Sequence, residues 1–225
     1  MVNQEIVVIG SSSELATEFI KLCLQKSKYV ISISRSDNNQ IKTDRHIQIQ
    51  NYFNDYLMIK NEVRKLSNPT VIFFNGFLAE NRNFQFPTKE EVVKTDEINF
   101  AIPYVLSHKL NNELDNINKF IYISTMAAIK PRYKNFIYGL SKNKLEESIK
   151  YLKPSCFLIM RYGKIRTKMS ENHTDPPFTL SVNKAAEILY ENLESKGIKF
   201  ASFGLFLLGK LIELLPMKIV RKIKV

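Results

Sequence analysis

Short apolar runs alternate along this chain with longer segments of helical spacing. The apolar runs are mostly continuous, which is typical of strands buried on both faces of a sheet. They lie at 5–10, 28–34, 45–50, 70–75, 119–124, 156–161 and 198–202. The helical segments lie at 13–26, roughly 54–66, 89–114, 136–152 and 181–195. Because strand and helix alternate, the sequence predicts an α/β fold with a doubly wound parallel sheet of about seven strands and helices on both faces.

The chain shows no repeat and no internal linker, so we expect one domain over residues 1–202, followed by a basic amphipathic tail over 203–225. Two irregular stretches, 77–88 and 167–180, interrupt the pattern. In an open α/β sheet the ligand lies beyond the carboxyl ends of the strands. The two stretches are therefore candidate lids.

Composition narrows the class of protein. With 225 residues, of which 44% are hydrophobic, the chain can build a large core, which excludes disordered and fibrous classes. Cys23 and Cys156 have no paired spacing, and no export signal precedes the first apolar run, so we expect a cytoplasmic protein. The three histidines lack ligand spacing, which argues against a metal site.

The net charge of +11 is concentrated at the C-terminus, where residues 199–225 hold six basic residues and one acidic residue. The uncharged run 200–209 is shorter than the roughly 20 residues that span a bilayer. Apolar residues interleaved with lysines are expected of a helix lying on an anionic membrane surface. The alternative is a helix that packs on its own domain or on a second subunit of a homodimer. Nucleic acid is disfavoured, because no binding module is recognisable.

The first strand leads into a helix through a loop that suits a dinucleotide pyrophosphate, which backbone N–H groups and a helix N-terminus can hold. Of the usual three glycines only Gly10 is present, and Glu14 and Ala16 take the later positions. A loop with a serine cap is the alternative interpretation. The candidate cofactor-binding residues in this loop are Gly10, Ser11, Ser12, Ser13, Glu14 and Leu15.

Arg35 follows the second strand at the position where an arginine accommodates the 2′-phosphate of NADP and an acidic residue binds the ribose of NAD. NADP(H) is therefore favoured, with NAD(H) as the alternative. Asn75 and Gly76 close the fourth strand, where a glycine lets the backbone approach a cofactor.

The strongest constellation is a tyrosine and a lysine four residues apart on one helix face, preceded by two hydroxyl residues at a strand end. Beside Lys142, the phenol of Tyr138 can have a lowered pKa and can donate a proton. Thr125, thirteen residues before the tyrosine, can hydrogen-bond the same substrate oxygen, with Ser124 in support.

Over residues 5 to about 167 this order of motifs resembles the short-chain dehydrogenase/reductase family, which has a Rossmann-type fold. The resemblance implies a tetrad in which Asn99 joins Thr125, Tyr138 and Lys142 and anchors a water relay. It also places Asn51 where the family contacts adenine. The segment 161–167 resembles the one that binds the nicotinamide carboxamide, with Tyr162 in place of a proline; its cofactor candidates are Gly163, Ile165 and Thr167.

A narrower resemblance, over 135–139, 165–170, 177–182 and 215–222, is to family members that reduce a polyprenyl-phosphate-linked 2-keto-sugar. It implies a role in cell-envelope polysaccharide or glycolipid synthesis, a flavoprotein oxidase as partner, and a peripheral location on the inner face of the cytoplasmic membrane. The alternatives are a soluble ketoreductase of a small or nucleotide-linked sugar, and a dinucleotide sensor or scaffold without catalytic activity.

Overall fold

The strands and helices follow the predicted alternation in the computed structural model, which describes residues 4–36, 41–78, 88–132, 135–151, 157–171 and 174–220. The strands are β1 Glu5–Ile9, β2 Tyr29–Ser34, β3 Arg45–Gln48, β4 Thr70–Phe73, β5 Lys119–Thr125, β6 Phe157–Tyr162 and β7 Gly197–Phe200. The helices are α1 Glu14–Gln25, α2 Tyr56–Arg64, α3 Lys89–Asp96, α4 Ile102–Glu113, α5 Phe136–Ile149, α6 Val182–Glu191, α7 Phe203–Leu214 and α8 Met217–Val220.

Some of the predicted features lie outside the described residues. These are Cys156, His173, most of the candidate lid 77–88 and the last five residues of the tail, 221–225. The helix predicted over 89–114 is α3 and α4 joined by a π-helical segment, Glu97–Ala101.

In the part of the chain that the structure describes, all seven strands form one parallel sheet in the order β3-β2-β1-β4-β5-β6-β7. Val7 in β1 pairs with Ile31 of β2 on one side and with Val71 of β4 on the other. The strand order reverses between β1 and β4, so the crevice that binds ligands in such sheets opens at their carboxyl ends. The predicted fold class is confirmed.

Successive residues of each strand face opposite sides of the sheet and enter two separate cores. Val7 and Ile9 belong to the core beneath α2, α4 and α5. Ile6 and Val8 belong to the core beneath α1, α6 and α7. This double burial explains why the strands are continuous apolar runs.

An aromatic stack joins the two central strands β4 and β5 in the first core. The ring of Phe73 lies parallel to that of Tyr122, with centroids 5.3 Å apart and an interplanar angle of 7°. It also stacks on Phe120 at 6.3 Å. Phe73 is buried, so its loss leaves a cavity at the middle of the sheet.

We expect Phe73→Ala to lower the free energy of unfolding by about 3–5 kcal/mol, measured by urea denaturation with circular dichroism. The control is Leu57→Ala, which removes an exposed side chain of α2 and should change that free energy by less than about 0.5 kcal/mol. Equal effects of the two substitutions would contradict the assignment of Phe73 to the core.

Candidate active site at the carboxyl edge of the sheet

The loop after β1 is held tightly against the end of β4. Gly10 has φ of +80°, a conformation that favours glycine, and a Cβ there would lie 3.0 Å from the backbone nitrogen of Asn75. The backbone N–H groups of Gly10 and Ser11 both donate to Ile33 O, at 2.9 and 3.1 Å. The one glycine that this loop retains is therefore at the position where the backbone requires it.

The N-terminus of α1 faces the crevice above that loop. Ser13 caps the helix, because its hydroxyl accepts from the Ala16 N–H at 3.2 Å. Ser12 is exposed, while Leu15 is buried in the core beneath. The N–H groups in the first turn of a helix have no intrahelical acceptor, so the turn at Glu14 and Leu15 can bind an anion.

Glu14 links this loop to the segment that follows β6. Its carboxylate accepts from the backbone N–H of Lys168 at 2.8 Å, at the start of the short 3₁₀ turn Lys168–Ser170. The negative charge of Glu14 is thereby paired with a donor. Both segments line a cleft of about 600 Å³ whose walls are all polar or charged residues: Glu14, Lys164, Arg166, Thr167, Ser170, Glu171, Thr174 and Asp175.

Arg35 is exposed at the carboxyl end of β2, next to the β1 loop. Its charge acts on the buried Tyr52, whose pKa is also lowered by the Asn75 side chain and by the backbone of Gly10. Burial raises the pKa of Tyr52, and Arg35 opposes that rise. The sequence did not indicate Tyr52, whose pKa responds to groups on three segments of the crevice.

Asn51 and Asn75 have different surroundings. The Asn51 side-chain oxygen accepts from the N–H groups of Phe53 and Asn54, at 2.8 and 3.2 Å, so it stabilises the turn after β3. The Asn75 side-chain oxygen is buried and has no hydrogen-bond partner among the described residues. Gly76, next along, is half-buried, and a Cβ there would make only ordinary contacts.

The tyrosine and lysine lie in the first two turns of α5. Gly139 lets this helix approach the turn after β5, because a Cβ there would lie 2.7 Å from Ala127 O. Thr125, at the end of β5, uses its hydroxyl to accept from the Ala127 N–H at 3.2 Å. The first turn of α5, which carries Tyr138, therefore packs on the turn after β5.

Lys142 is almost completely buried, at 3% exposed. Its ammonium donates to Asn75 O and to Ile123 O, both at 3.0 Å, at the ends of β4 and β5. Burial lowers the pKa of Lys142 to about 8, and the charge of Glu146 one turn later opposes the fall.

The expectation that Lys142 lowers the pKa of Tyr138 is not met. Burial raises the pKa of Tyr138 to about 12. The physical reason is that burial disfavours the charged phenolate, while the Lys142 ammonium hydrogen-bonds to two strand-end carbonyls. At neutral pH the phenol therefore holds its proton.

Ser124 has a different partner from the one predicted. Its hydroxyl donates to the Glu146 carboxylate, which also forms a bidentate ion pair with Arg161 of β6, and all three residues are buried. Neighbouring residues of a strand face opposite sides, so Ser124 does not share the position of Thr125. Glu146 lies four residues after Lys142 on α5, and its role was not predicted.

Asn99 lies in the π-helical segment and is fully buried. Its amide nitrogen donates to Phe77 O at 2.8 Å and to the Ser141 hydroxyl at 3.1 Å, and its oxygen accepts from the Phe77 N–H at 2.8 Å. Ser141 in turn donates to Tyr138 O. The side chain therefore fastens the loop after β4 to α5, and both of its donors are used. A water relay at Asn99 remains a prediction.

The segment after β6 carries the remaining candidates. Gly163 packs against Leu205 of α7, and Ile165 forms a bridge with Leu180. Thr167 caps the 3₁₀ turn in a reciprocal capping box with Ser170. Tyr162, in place of the expected proline, is buried, and its hydroxyl donates to Ala185 O of α6 at 2.9 Å. This substitution supports core packing.

Solved structures of short-chain dehydrogenases resemble this chain. One from Burkholderia cenocepacia J2315, in complex with NADP, aligns with a TM-score of 0.75 at 14% identity over 96% of this chain and 100% of the other. The ligand-free aldohexose dehydrogenase of Thermoplasma acidophilum gives 0.71 at 14% identity over 91% and 95%. A carbonyl reductase of Pseudomonas aeruginosa PAO1 gives 0.67 at 15% identity over 88% and 95%.

The chain matches no protein-family model, and no curated protein matches its sequence. The likeness to known proteins therefore lies in the backbone rather than in the residues. This protein has the fold of the short-chain dehydrogenases.

Proposed function

We propose that this protein is an NAD(P)H-dependent reductase that acts on the carbonyl of a keto-sugar carried on polyprenyl phosphate. The observation that carries the proposal is that the Thr125 hydroxyl and the Lys142 ammonium lie at the carboxyl ends of β4 and β5, with Tyr138 one turn before Lys142 on α5. It lies beside the point of strand reversal, where this sheet type binds ligands.

The crevice fits a dinucleotide. A Cβ at Gly10 would fill the space against Asn75, and the buried Asn75 oxygen lacks a partner among the described residues. The first-turn N–H groups of α1 would hold the pyrophosphate, and Arg35 would hold the 2′-phosphate of NADP. Lys142 would hold the nicotinamide ribose, and the segment 163–167 the carboxamide. When bound, the reduced dinucleotide supplies the hydride.

The side chains supply the proton and the stabilisation of charge. Tyr138, protonated at neutral pH, donates to the oxygen that gains charge as the carbonyl is reduced. The Thr125 hydroxyl hydrogen-bonds the same oxygen. Donors fixed in advance at this position accelerate the step, because the charge on the oxygen builds up in the transition state. Lys142, with a pKa of about 8, is mostly cationic at pH 7.

Several features support a sugar as the substrate. The cleft beside Glu14 is lined by polar and charged residues, which offer hydrogen-bonding partners to a hydroxylated or phosphorylated molecule. The aldohexose dehydrogenase among the similar structures acts on a sugar. Four short segments, 135–139, 165–170, 177–182 and 215–222, also resemble in pattern, though not in letter-for-letter identity, the decaprenylphosphoryl-2-keto-ribose reductase.

A keto-sugar arises by oxidation of the corresponding alcohol, so an oxidase, proposed to be a flavoprotein, would supply this substrate. The polyprenyl chain of the substrate would stay in the bilayer, so the reductase would work on the cytoplasmic face of the membrane, in cell-envelope polysaccharide or glycolipid synthesis.

Tyr138→Phe should reduce kcat at least about 100-fold, because it removes the proton donor, while the affinity for NADPH stays nearly unchanged. Turnover is measured by NADPH oxidation with keto-sugars, and affinity by fluorescence titration. Tyr151→Phe, an exposed tyrosine just after α5, is the control and should keep full activity. Residual activity of Tyr138→Phe above a tenth of the wild type would overturn the proton-donor assignment.

Glu146→Gln should move the alkaline limb of the pH profile of kcat/KM to lower pH. The charge of Glu146 raises the pKa of Lys142, so its removal lets Lys142 lose its proton at a pH below about 8. Glu147→Gln, which changes the exposed neighbour on the same helix, should leave the limb in place. Thermal denaturation checks that both variants fold. A limb that does not move would exclude this influence on Lys142.

Arg35→Asp should lower kcat/KM for NADPH by about 10–100-fold, the loss expected of a charged hydrogen bond, and should leave kcat/KM for NADH equal or higher. Lys26→Asp, an exposed residue just after α1 that precedes β2 and so lies away from the carboxyl ends of the strands, should change neither value. An equal loss of kcat/KM with NADPH and with NADH would show that Arg35 does not bind the 2′-phosphate.

A further inference from the structure

The outward surface of α7 is apolar, although the helix lies on the outside of the domain. Leu205, Gly209 and Ile212 form its inner side and are buried against the second core. The residues on the opposite side, here called the outer face, are Phe203, Leu207, Leu211 and Leu214, which are 74%, 53%, 54% and 82% exposed. A helix on the surface of a soluble domain normally presents polar residues there.

The charged side chains of α7 lie to one side of the outer face. Lys210 and Glu213 pair with each other at 2.7 Å. Glu213 also lies 3.9 Å from Arg161 of β6. Four large apolar side chains therefore form an exposed stripe with charge along one edge. Surfaces of this kind mark contacts with a membrane or with another protein.

The helix is fixed in this orientation. Ser202 caps its start by accepting from the Leu205 N–H at 3.2 Å. At its end, the Lys130 ammonium donates to Glu213 O and Leu215 O, both at 2.7 Å. A Cβ at Gly209 would lie 2.7 Å from the ring of Phe200. The outer face cannot turn inward without breaking these contacts. Its apolar side chains can therefore be removed from water only by contact with another molecule.

The apolar surface extends toward the candidate active site. The ring of Phe178, 47% exposed, packs directly against Gly204 in the first turn of α7. The carbonyl of Phe178 lies 3.5 Å from the Cβ position of Gly163, in the segment proposed to bind nicotinamide. On the far side, Met217 and Ile219 of α8 are also exposed.

The outer face could be covered by an anionic membrane or by a second copy of this chain, and the charge of the segment distinguishes these two. Residues 203–225 carry five basic residues, Lys210, Lys218, Arg221, Lys222 and Lys224, against Glu213 alone. A second copy of this chain would carry the same excess of positive charge in this segment, whereas anionic headgroups complement that charge. Lysines beside an apolar stripe are also typical of a helix that lies in the headgroup region. No helix among the described residues is long and apolar enough to cross a bilayer.

We propose that the outer face of α7, together with Phe178, docks on the surface of an anionic phospholipid bilayer. The apolar side chains enter the boundary between headgroups and acyl chains, while the flanking cations contact phosphate. The docked orientation sets the entrance of the candidate active site against the membrane, where a lipid-linked sugar would reach it; this last step rests on the proposed function.

The test is flotation of the full chain with vesicles of phosphatidylglycerol and phosphatidylcholine. The wild type should float, and Leu207→Glu/Leu211→Glu should lose at least about tenfold in bound fraction, because two leucines that enter the bilayer in the docked state become charged. Leu57→Glu/Met58→Glu, which places the same charges on exposed apolar residues of α2, should float like the wild type. Vesicles of phosphatidylcholine alone should bind the wild type more weakly.

Flotation that is equal in the wild type and in Leu207→Glu/Leu211→Glu overturns the proposal. A wild type that fails to float but forms a dimer by light scattering, dissociated by Leu207→Glu/Leu211→Glu, also overturns it and identifies a second copy as the cover. NADPH oxidation with a water-soluble keto-sugar, measured in parallel, should be unchanged by Leu207→Glu/Leu211→Glu. If the wild type floats without turning over any keto-sugar, the proposed function fails and the docking surface stands.

Discussion

The buried Lys142 ammonium joins three elements of the candidate active site, α5 and the ends of β4 and β5. It lies on α5, and its two hydrogen bonds reach carbonyl oxygens at the ends of β4 and β5. A buried charge without partners would be strongly unfavourable, so the helix is held where both carbonyls can be reached. The close contact of Gly139 with the turn after β5 holds the helix at the same short distance from the strand ends. Tyr138, one turn earlier, takes its position from these constraints.

A buried ion pair between Glu146 and Arg161 lies next to Lys142. Glu146 lies one turn beyond Lys142 and is neutralised by Arg161, which the adjacent strand β6 supplies. Breaking a buried ion pair by removing one partner is costly, because the other charge stays buried and unpaired. The Lys142, Glu146 and Arg161 side chains thus carry charges of alternating sign, which link the candidate active-site face of α5 to the adjacent strand β6.

The sequence predicts the strands well, because burial on both faces leaves a continuous apolar run that few other structures produce. Gly10 is predictable for a similar reason, since a tight turn after the first strand needs a glycine. The partners of charged side chains are not predictable in this way. Glu14 meets Lys168 across 154 positions of the chain, and Ser124 meets Glu146 only because of the direction in which its strand faces. Such pairs depend on how the folded elements pack, and they produce no repeating pattern in the sequence.

Arg161 of β6 lies close to acidic side chains of two different helices, α5 and α7. Its guanidinium pairs with Glu146 on the helix of Tyr138 and Lys142, and it lies near Glu213 on the helix of the proposed docking surface. The two surfaces are therefore linked through one side chain. Suppose that contact with a bilayer and ligand binding in the crevice favour the same arrangement of these three side chains. Each then raises the affinity for the other by the same factor, because a coupling free energy acts equally in both directions. Occupancy of the crevice and residence on the membrane would then regulate each other.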